Sequence, residues 1–188
     1  MRTQSLWLLA AVAVFGLLAQ DDDPGKIMRP ADKSAHSAGP IDIVATAPSG
    51  KLELDGRPIE VAQPFPNVFH GVLKVAPGEH SLVLIWEGGR KEVRFFSGPN
   101  APTGFAAFVQ HPPIAGIQCT QCHELSARGR FRFKGGCFDC HKQETFAKAH
   151  THPATMLQEC GMCHNAHGST VKSHLIHSKE NSCKLCHG

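Results

Sequence analysis

Residues 160–188 read CGMCHNAHGSTVKSHLIHSKENSCKLCHG, and they contain two pairs of cysteines that are each followed directly by a histidine. The same arrangement occurs twice upstream, so all eight cysteines of the 188-residue chain belong to four copies of the pattern C-x-x-C-H. The copies are Cys119-Thr-Gln-Cys122-His123, Cys137-Phe-Asp-Cys140-His141, Cys160-Gly-Met-Cys163-His164 and Cys183-Lys-Leu-Cys186-His187. Ten of the thirteen histidines also lie beyond residue 110, so the metal-binding chemistry of this chain is concentrated in its C-terminal part.

C-x-x-C-H is the attachment motif of c-type haem. Two thiols that are separated by two residues on a helical turn can add to the two vinyl groups along one edge of a porphyrin. The next residue then projects over the ring, and its imidazole can bind the iron from the proximal side. The four motifs therefore predict four covalently attached haems, with the eight cysteines as thioether donors and His123, His141, His164 and His187 as proximal ligands.

Zinc is the main alternative, because 14 residues separate Cys122 from Cys137 and 19 separate Cys163 from Cys183, close to the spacing of a zinc ribbon. A ribbon does not require a histidine after each second cysteine. With histidine at about 13% of this region, four such placements have a chance probability on the order of 3 in 10,000. A disulfide framework or a redox-active dithiol explains the histidines no better, so haem is the favoured interpretation.

Residues 111–188 resemble the multihaem c-type cytochromes, in particular the doubled-CxxCH family and the small low-potential tetrahaem cytochromes. The resemblance implies electron transfer through covalent haems that mostly carry histidine on both faces of the iron. Four haems in so short a segment must pack against one another in place of a side-chain core. We therefore expect residues 105–188 to form a haem-packed domain of short helices and loops with little regular secondary structure.

The distal ligands must come from histidines outside the motifs. The candidates are His111, His150, His152, His167, His174 and His177. His111 and His152 each precede the first cysteine of a motif by eight residues, and each is followed by a proline. The region therefore reads as an internal duplication, and equivalent positions in the two halves predict that both histidines are distal ligands.

The family resemblance suggests the remaining distal ligands. The doubled-CxxCH pattern carries a histidine three residues after the motif histidine, and CHNAH supplies His167 in that place, whereas the first half reads CHELS with Ser126 there. HLIHSKENSC resembles the HxxH that precedes a motif in the small low-potential cytochromes. Of its two histidines we assign His177 as the fourth ligand, and His174 stays a spare together with His150.

The N-terminus resembles an export signal. One arginine precedes fourteen apolar residues, Leu6 to Ala19, which is shorter than the roughly 20 residues of a membrane span and within the range of a secretory h-region of about 7–15 residues. We expect residues 1–19 to be a signal peptide, with an uncleaved anchor as the alternative. Either form places the protein in the periplasm or outside the cell. Residues 20–39 are polar, without periodicity, and are predicted to be a linker.

Residues 40–98 predict a small all-β sandwich. Short runs such as VFHGVLKVA, HSLVLIWE and RKEVRFF are rich in Val, Ile, Leu and Phe, and turn residues separate them. Trp86-Glu-Gly-Gly-Arg90 predicts a hairpin connection. LELDG and VAPGEHSLVL resemble the small PEGA-type β-domains, which implies a role in attachment or interaction. We interpret His70 and His80, which lie in this part, as surface or packed residues and not as metal ligands.

The function that these features predict is electron transfer by an exported tetrahaem cytochrome between redox partners, through low-potential haems with two histidine ligands. A net charge of +3 is too small to indicate nucleic acid, and no membrane span is expected after signal cleavage. One alternative is a self-assembling extracellular haem filament, in which His36, His70 or one of the spare histidines ligates an iron of a neighbouring copy. The other is a multihaem reductase, but no feature requires an exchangeable iron, so we predict that the protein is not an enzyme.

Overall fold

The computed structural model describes residues 24–111, 118–142, 144–146, 152 and 160–188. The predicted signal peptide and His150 lie outside these residues. Ten strands make up the N-terminal part. They are β1 (Lys26–Arg29), β2 (Ser34–His36), β3 (Pro40–Thr46), β4 (Lys51–Leu54), β5 (Arg57–Ile59), β6 (Ala62–Phe65), β7 (Val68–Lys74), β8 (Gly78–Trp86), β9 (Gly89–Ser97) and β10 (Ala106–Ala107).

The strands form two sheets, a four-stranded one in the order β1-β3-β7-β6 and a six-stranded one in the order β10-β2-β9-β8-β4-β5. Side chains alternate in β3, where Ile41, Ile43 and Ala45 are buried and their neighbours are more exposed. These residues pack with Leu82 and Phe95 of the other sheet in one apolar cluster. The predicted β-sandwich is therefore confirmed.

The predicted hairpin between β8 and β9 is also confirmed. Trp86 lies opposite Gly89, so the loop consists of Glu87 and Gly88 alone. Gly88 has a φ of 85°, a left-handed conformation that glycine adopts without steric cost. Gly89 is needed for space, because a Cβ at this position would lie 2.2 Å from the indole ring of Trp86.

The prediction of a linker over residues 20–39 is wrong for the segments that form β1 and β2. β1 pairs antiparallel with β3, and β2 pairs parallel with β9. Both segments are too short to show an alternating pattern, and their backbone partners come from strands that are distant in sequence. β10 pairs with β2, so the sandwich extends beyond the predicted range of residues 40–98 at both ends.

Each motif of the C-terminal part lies on a short helical element. Single 3-10 turns span Cys119–Gln121, Cys137–Asp139 and Cys160–Met162, and the helix Lys179–His187 contains the fourth pair of cysteines. The Ser178 side chain caps that helix by accepting a hydrogen bond from the Asn181 backbone. Three motifs thus begin on a single 3-10 turn, and the cysteines of the fourth lie within an α-helix. None of the helices in the described part of the chain is long and apolar enough to cross a membrane.

Within its described residues, this part also contains a small hairpin, β11 (His123–Leu125) with β12 (Phe131–Phe133), a 3-10 turn, Lys172–His174, and helical residues at 144–146. Among the described residues, several contacts join the C-terminal part to the sandwich. Val109 and Ser169 exchange two backbone hydrogen bonds of 2.9 and 3.0 Å, and the rings of Phe65 and Phe131 stack at 4.6 Å. The Arg29 side chain donates a hydrogen bond to the carbonyl of His167. The two parts therefore share an interface.

The sandwich core predicts a position-dependent effect of one substitution. Val93→Ala should lower the free energy of unfolding by about 2–3 kcal/mol, because Val93 is only 5% exposed and its loss leaves a cavity between the sheets. Val72→Ala is the matched control. Val72 is 60% exposed, so we expect a loss of no more than about 1 kcal/mol. Urea unfolding followed by Trp86 fluorescence measures both, and equal losses would contradict this assignment of the core.

Candidate haem-attachment site

A cavity of about 360 Å³ lies in the C-terminal part, and residues from three of the four motifs line it. Its apolar wall includes Phe133, Phe138, Met162 and Leu185, which are large side chains that stay exposed. The polar groups around it are thiols and imidazoles, namely Cys137, Cys160, Cys163, Cys186, His111, His141, His164 and His174. Apolar walls with thiols and imidazoles suit a flat apolar macrocycle that carries a metal ion and is attached through sulfur.

All eight cysteine thiols are free of disulfide bonds. Cys137 and Cys160 are neighbours although they belong to different motifs. Burial, followed by the proximity of Cys160, raises the pKa of the Cys137 thiol. Among the described residues, no three His, Cys, Asp or Glu side chains are arranged to hold a metal ion.

The third motif shows how the chain orients a motif histidine. Nδ1 of His164 lies 2.9 Å from the carbonyl oxygen of Ser173, and a ring whose Nδ1–H donates to a carbonyl carries its lone pair on Nε2. The segment around Ser173 is held against the motif by two backbone hydrogen bonds, from Asn165 to His174 and from Ile176 to Cys163. Such outer contacts fix the tautomer and the direction of a metal-binding imidazole.

The described part of the chain shows three pairs in which a motif histidine lies beside a histidine from outside the motifs. The pairs and the distances between their ring centroids are His123–His167 at 5.9 Å, His111–His141 at 5.8 Å and His152–His187 at 5.7 Å. A metal–imidazole bond is about 2.0–2.1 Å long, and the ring centre lies about 1 Å further on, so two imidazoles on opposite faces of one iron have centroids about 6 Å apart. The observed separations match this distance. The structure thus brings each of three predicted distal histidines close to a predicted proximal one.

The fourth distal ligand, which these three pairs do not include, stays a prediction. His177, which we assigned, is exposed. His174, which we took as a spare, lines the cavity, and its ring lies 5.3 Å from that of His111.

Burial disfavours the charged form of three imidazoles of this region. Burial, followed by the charge of Arg29, lowers the pKa of His167 to about 4, and burial also lowers the pKa of His111 and of His123. Nδ1 of His111, His123 and His174 is buried without a hydrogen-bond partner within the described part of the chain. A buried polar atom without a partner is costly, so these rings lie in surroundings that lack a binding group.

The sandwich histidines contact protein groups. His36 packs against Phe95 and Phe108, and its Nε2 lies 2.8 Å from the Ser34 hydroxyl. His70 lies 2.9 Å from a carboxylate oxygen of Asp42. His80 lies 2.7 Å from a carboxylate oxygen of Asp55.

Arg29 is a residue of this site that the sequence did not indicate. It belongs to β1 in the segment that was predicted as a linker, and it contacts His167 across 138 positions of sequence. A single arginine between Met28 and Pro30 carries no motif, so only the tertiary structure identifies it.

The comparisons with known proteins do not identify a family for this chain. No family model and no curated protein matches the chain. Among solved structures, fibronectin(III)-like modules of Clostridium thermocellum CbhA align with 39% of this chain and 95% of that chain, at 20% identity and a TM-score of 0.31. An FMN-binding beta-glucuronidase from Facaelibacterium prausnitzii L2-6 aligns over 43% of this chain and 13% of its own, at 12% identity and a TM-score of 0.34. Because their TM-scores lie below 0.5, these similarities support no conclusion about the function of the chain.

The buried His36 predicts a pH dependence of stability. Burial, followed by the charge of Arg29, lowers the pKa of His36 from 6.5 to about 4. Between pH 6.5 and 4 the unfolded chain therefore binds a proton that the folded chain excludes, so stability falls as the pH falls through this window. After allowance for solvent screening, the fall in the free energy of unfolding between pH 7 and pH 5 should be about 1 kcal/mol smaller for His36→Gln than for the wild type. Urea unfolding at both pH values measures this, and identical losses would contradict the assignment.

Proposed function

We propose that this chain is an exported tetrahaem c-type cytochrome that transfers electrons between redox partners. The observation that carries the proposal is the combination of four complete C-x-x-C-H motifs, each on a short helical element, with three motif histidines that lie at the separation of trans ligands from a second histidine. A zinc ribbon or a disulfide framework has no use for these pairs.

The residues divide into two roles. The eight motif cysteines would hold the haems by thioether bonds, and the paired histidines would hold the iron from both faces. When bound, each haem supplies an iron that accepts or gives up one electron. The protein contributes ligand identity, burial and hydrogen bonding, and two histidines per iron without methionine favour low potentials.

The pairing follows the internal duplication. His111 lies beside His141, the histidine of the second motif in the first half, and His152 lies beside His187, which is its counterpart in the second half. The equivalent histidine of each half thus has an equivalent partner. This agreement between two independent features supports both as distal ligands.

The same symmetry explains why one ligand is hard to assign. His167, from CHNAH in the second half, lies beside His123 of the first half. Its counterpart in the first half would lie beside His164, but Ser126 stands there instead. The departure from the repeat therefore leaves the repeat without a distal ligand to assign to His164, and His177 is our choice, with His150 and His174 as the spares.

The burial pattern supports a bound cofactor as the core of this part. The buried Ile, Leu, Val, Ala and Phe side chains of the described residues all lie between Ile41 and Phe95, within the sandwich. A packed domain needs an interior that excludes water, and four haems would supply it between residues 105 and 188. The sandwich would then serve as an interaction module, and the redox partner would be a protein or an extracellular electron donor or acceptor.

The haem count tests the proposal directly. The mature protein should have the mass of its polypeptide plus four haems, and these should survive denaturation and acid–acetone extraction because thioether bonds are covalent. Mass spectrometry under denaturing conditions measures the count. Bound zinc or eight unmodified thiols would end the cytochrome interpretation.

The proposed distal ligands predict a change of spin state. His111→Ala and His152→Ala should each keep four covalent haems, because thioethers and proximal histidines are untouched. Each should convert about a quarter of the iron to high spin and raise the potential of the altered haem, since a strong donor to ferric iron is lost. Visible and electron paramagnetic resonance spectra report both effects.

His80→Ala is the matched control for these variants, because His80 bonds to Asp55 in the sandwich. It should leave the spectrum wholly low-spin. If His111→Ala and His152→Ala also stay low-spin while His150→Ala or His174→Ala does not, then the repeat has identified the wrong histidines.

A further inference from the structure

Arg29 is a buried cation with an unused donor group. Its side chain is 2% exposed. Nε donates a hydrogen bond of 2.5 Å to the carbonyl oxygen of His167, and Nη1 forms an ion pair with Asp42 of β3. Nη2 is buried and has no hydrogen-bond partner among the described residues. Two of the three guanidinium nitrogens are therefore engaged, and the third has no acceptor among the residues that the structure describes.

Asp42 is already shared between two donors. One carboxylate oxygen pairs with Nη1 of Arg29, and the other lies 2.9 Å from Nε2 of His70. A buried cation whose N–H groups lack an acceptor costs free energy. The acceptor that best matches a guanidinium is a second carboxylate or another planar anion.

Arg29 lies close to one of the proposed haem ligands, His167. Because Arg29 also holds the backbone of His167, it lies directly beside the histidine that pairs with His123. An anion at Nη2 would therefore lie next to the haem of that pair.

We propose that Nη2 of Arg29 binds a propionate carboxylate of the haem held by His123 and His167, so that the β-sandwich sets the potential of this one haem. The inference rests on the proposed function, since it needs that haem to be present. A fixed cation disfavours the ferric iron, which carries one more positive charge than the ferrous iron. Arg29 therefore raises the potential of this haem relative to the same site without it, and acts as a positioning residue for its propionate.

Redox titration of the mature, full-length protein tests the effect. With dithionite as the reductant and visible spectra as the readout, Arg29→Gln should lower the potential of one haem in four and leave the other three unchanged. Arg29→Lys keeps the charge and should restore most of that potential. Arg94→Gln is the matched control, because it removes the same positive charge. Arg94 lies on the exposed face of β9, where it pairs with Glu79. Its four potentials should equal those of the wild type.

Proton NMR of the ferrous protein distinguishes binding from a through-space effect. Ferrous iron with two histidine ligands is diamagnetic, so nuclear Overhauser effects should connect the Nη2 protons of Arg29 with the propionate methylene protons of the haem that contacts His167. A potential shift without these effects would mean that the charge acts from a distance, and the proposal would be overturned. Unchanged potentials in Arg29→Gln would also overturn it, since Arg29 would then be structural only.

Two further measurements keep the test decisive. If Arg29→Gln does not mature, Asp42→Asn replaces it, and this variant should raise the potential of the same haem because a nearby negative charge is lost. Mass spectrometry separates the two hypotheses. Fewer than four haems in the wild type would contradict the proposed function, whereas four haems with unshifted potentials would contradict only the role of Arg29.

Discussion

The C-terminal part of this chain has no side-chain core of its own within the described residues, and the rest of the structure depends on that constraint. Phe133, Phe138 and Met162 face a cavity or solvent instead of one another. Short helical turns and one small hairpin cannot order themselves against so little buried surface. In the function we propose, covalent cofactors fill this interior, which is why thiols and imidazoles, and not leucines, recur at regular spacing.

The sandwich was predictable where its residues alternate and unpredictable where they do not. Ile41, Ile43 and Ala45 point to one face of β3, and the glycines after Trp86 define the hairpin, so local sequence was sufficient for both. β1 and β2 are three or four residues long, and partners from β3 and β9 stabilise them. Strand formation of this kind depends on tertiary context, which the polar sequence of residues 20–39 does not reveal.

The candidate site divides in the same way. Spacing identified the motif cysteines and histidines, and the repeated His-Pro identified His111 and His152. The sequence did not predict which motif histidine would lie beside His111 or His152. Those neighbours lie 30 and 35 residues away, beyond the nearest motif. Arg29 was missed for the same reason, since its importance comes from a contact with His167 and not from any local pattern.

The distance in sequence between Arg29 and His167 imposes an order on folding. Chains are synthesised from the N-terminus, so β1 to β9 are complete while residue 167 has yet to be added. The sandwich can therefore bury its core early, and Arg29 and Asp42 can pair before their third partner exists. The junction closes late, because closing so long a loop costs entropy that only the finished C-terminal part can offset. The N-terminal part is thus already folded when the motif region packs against it.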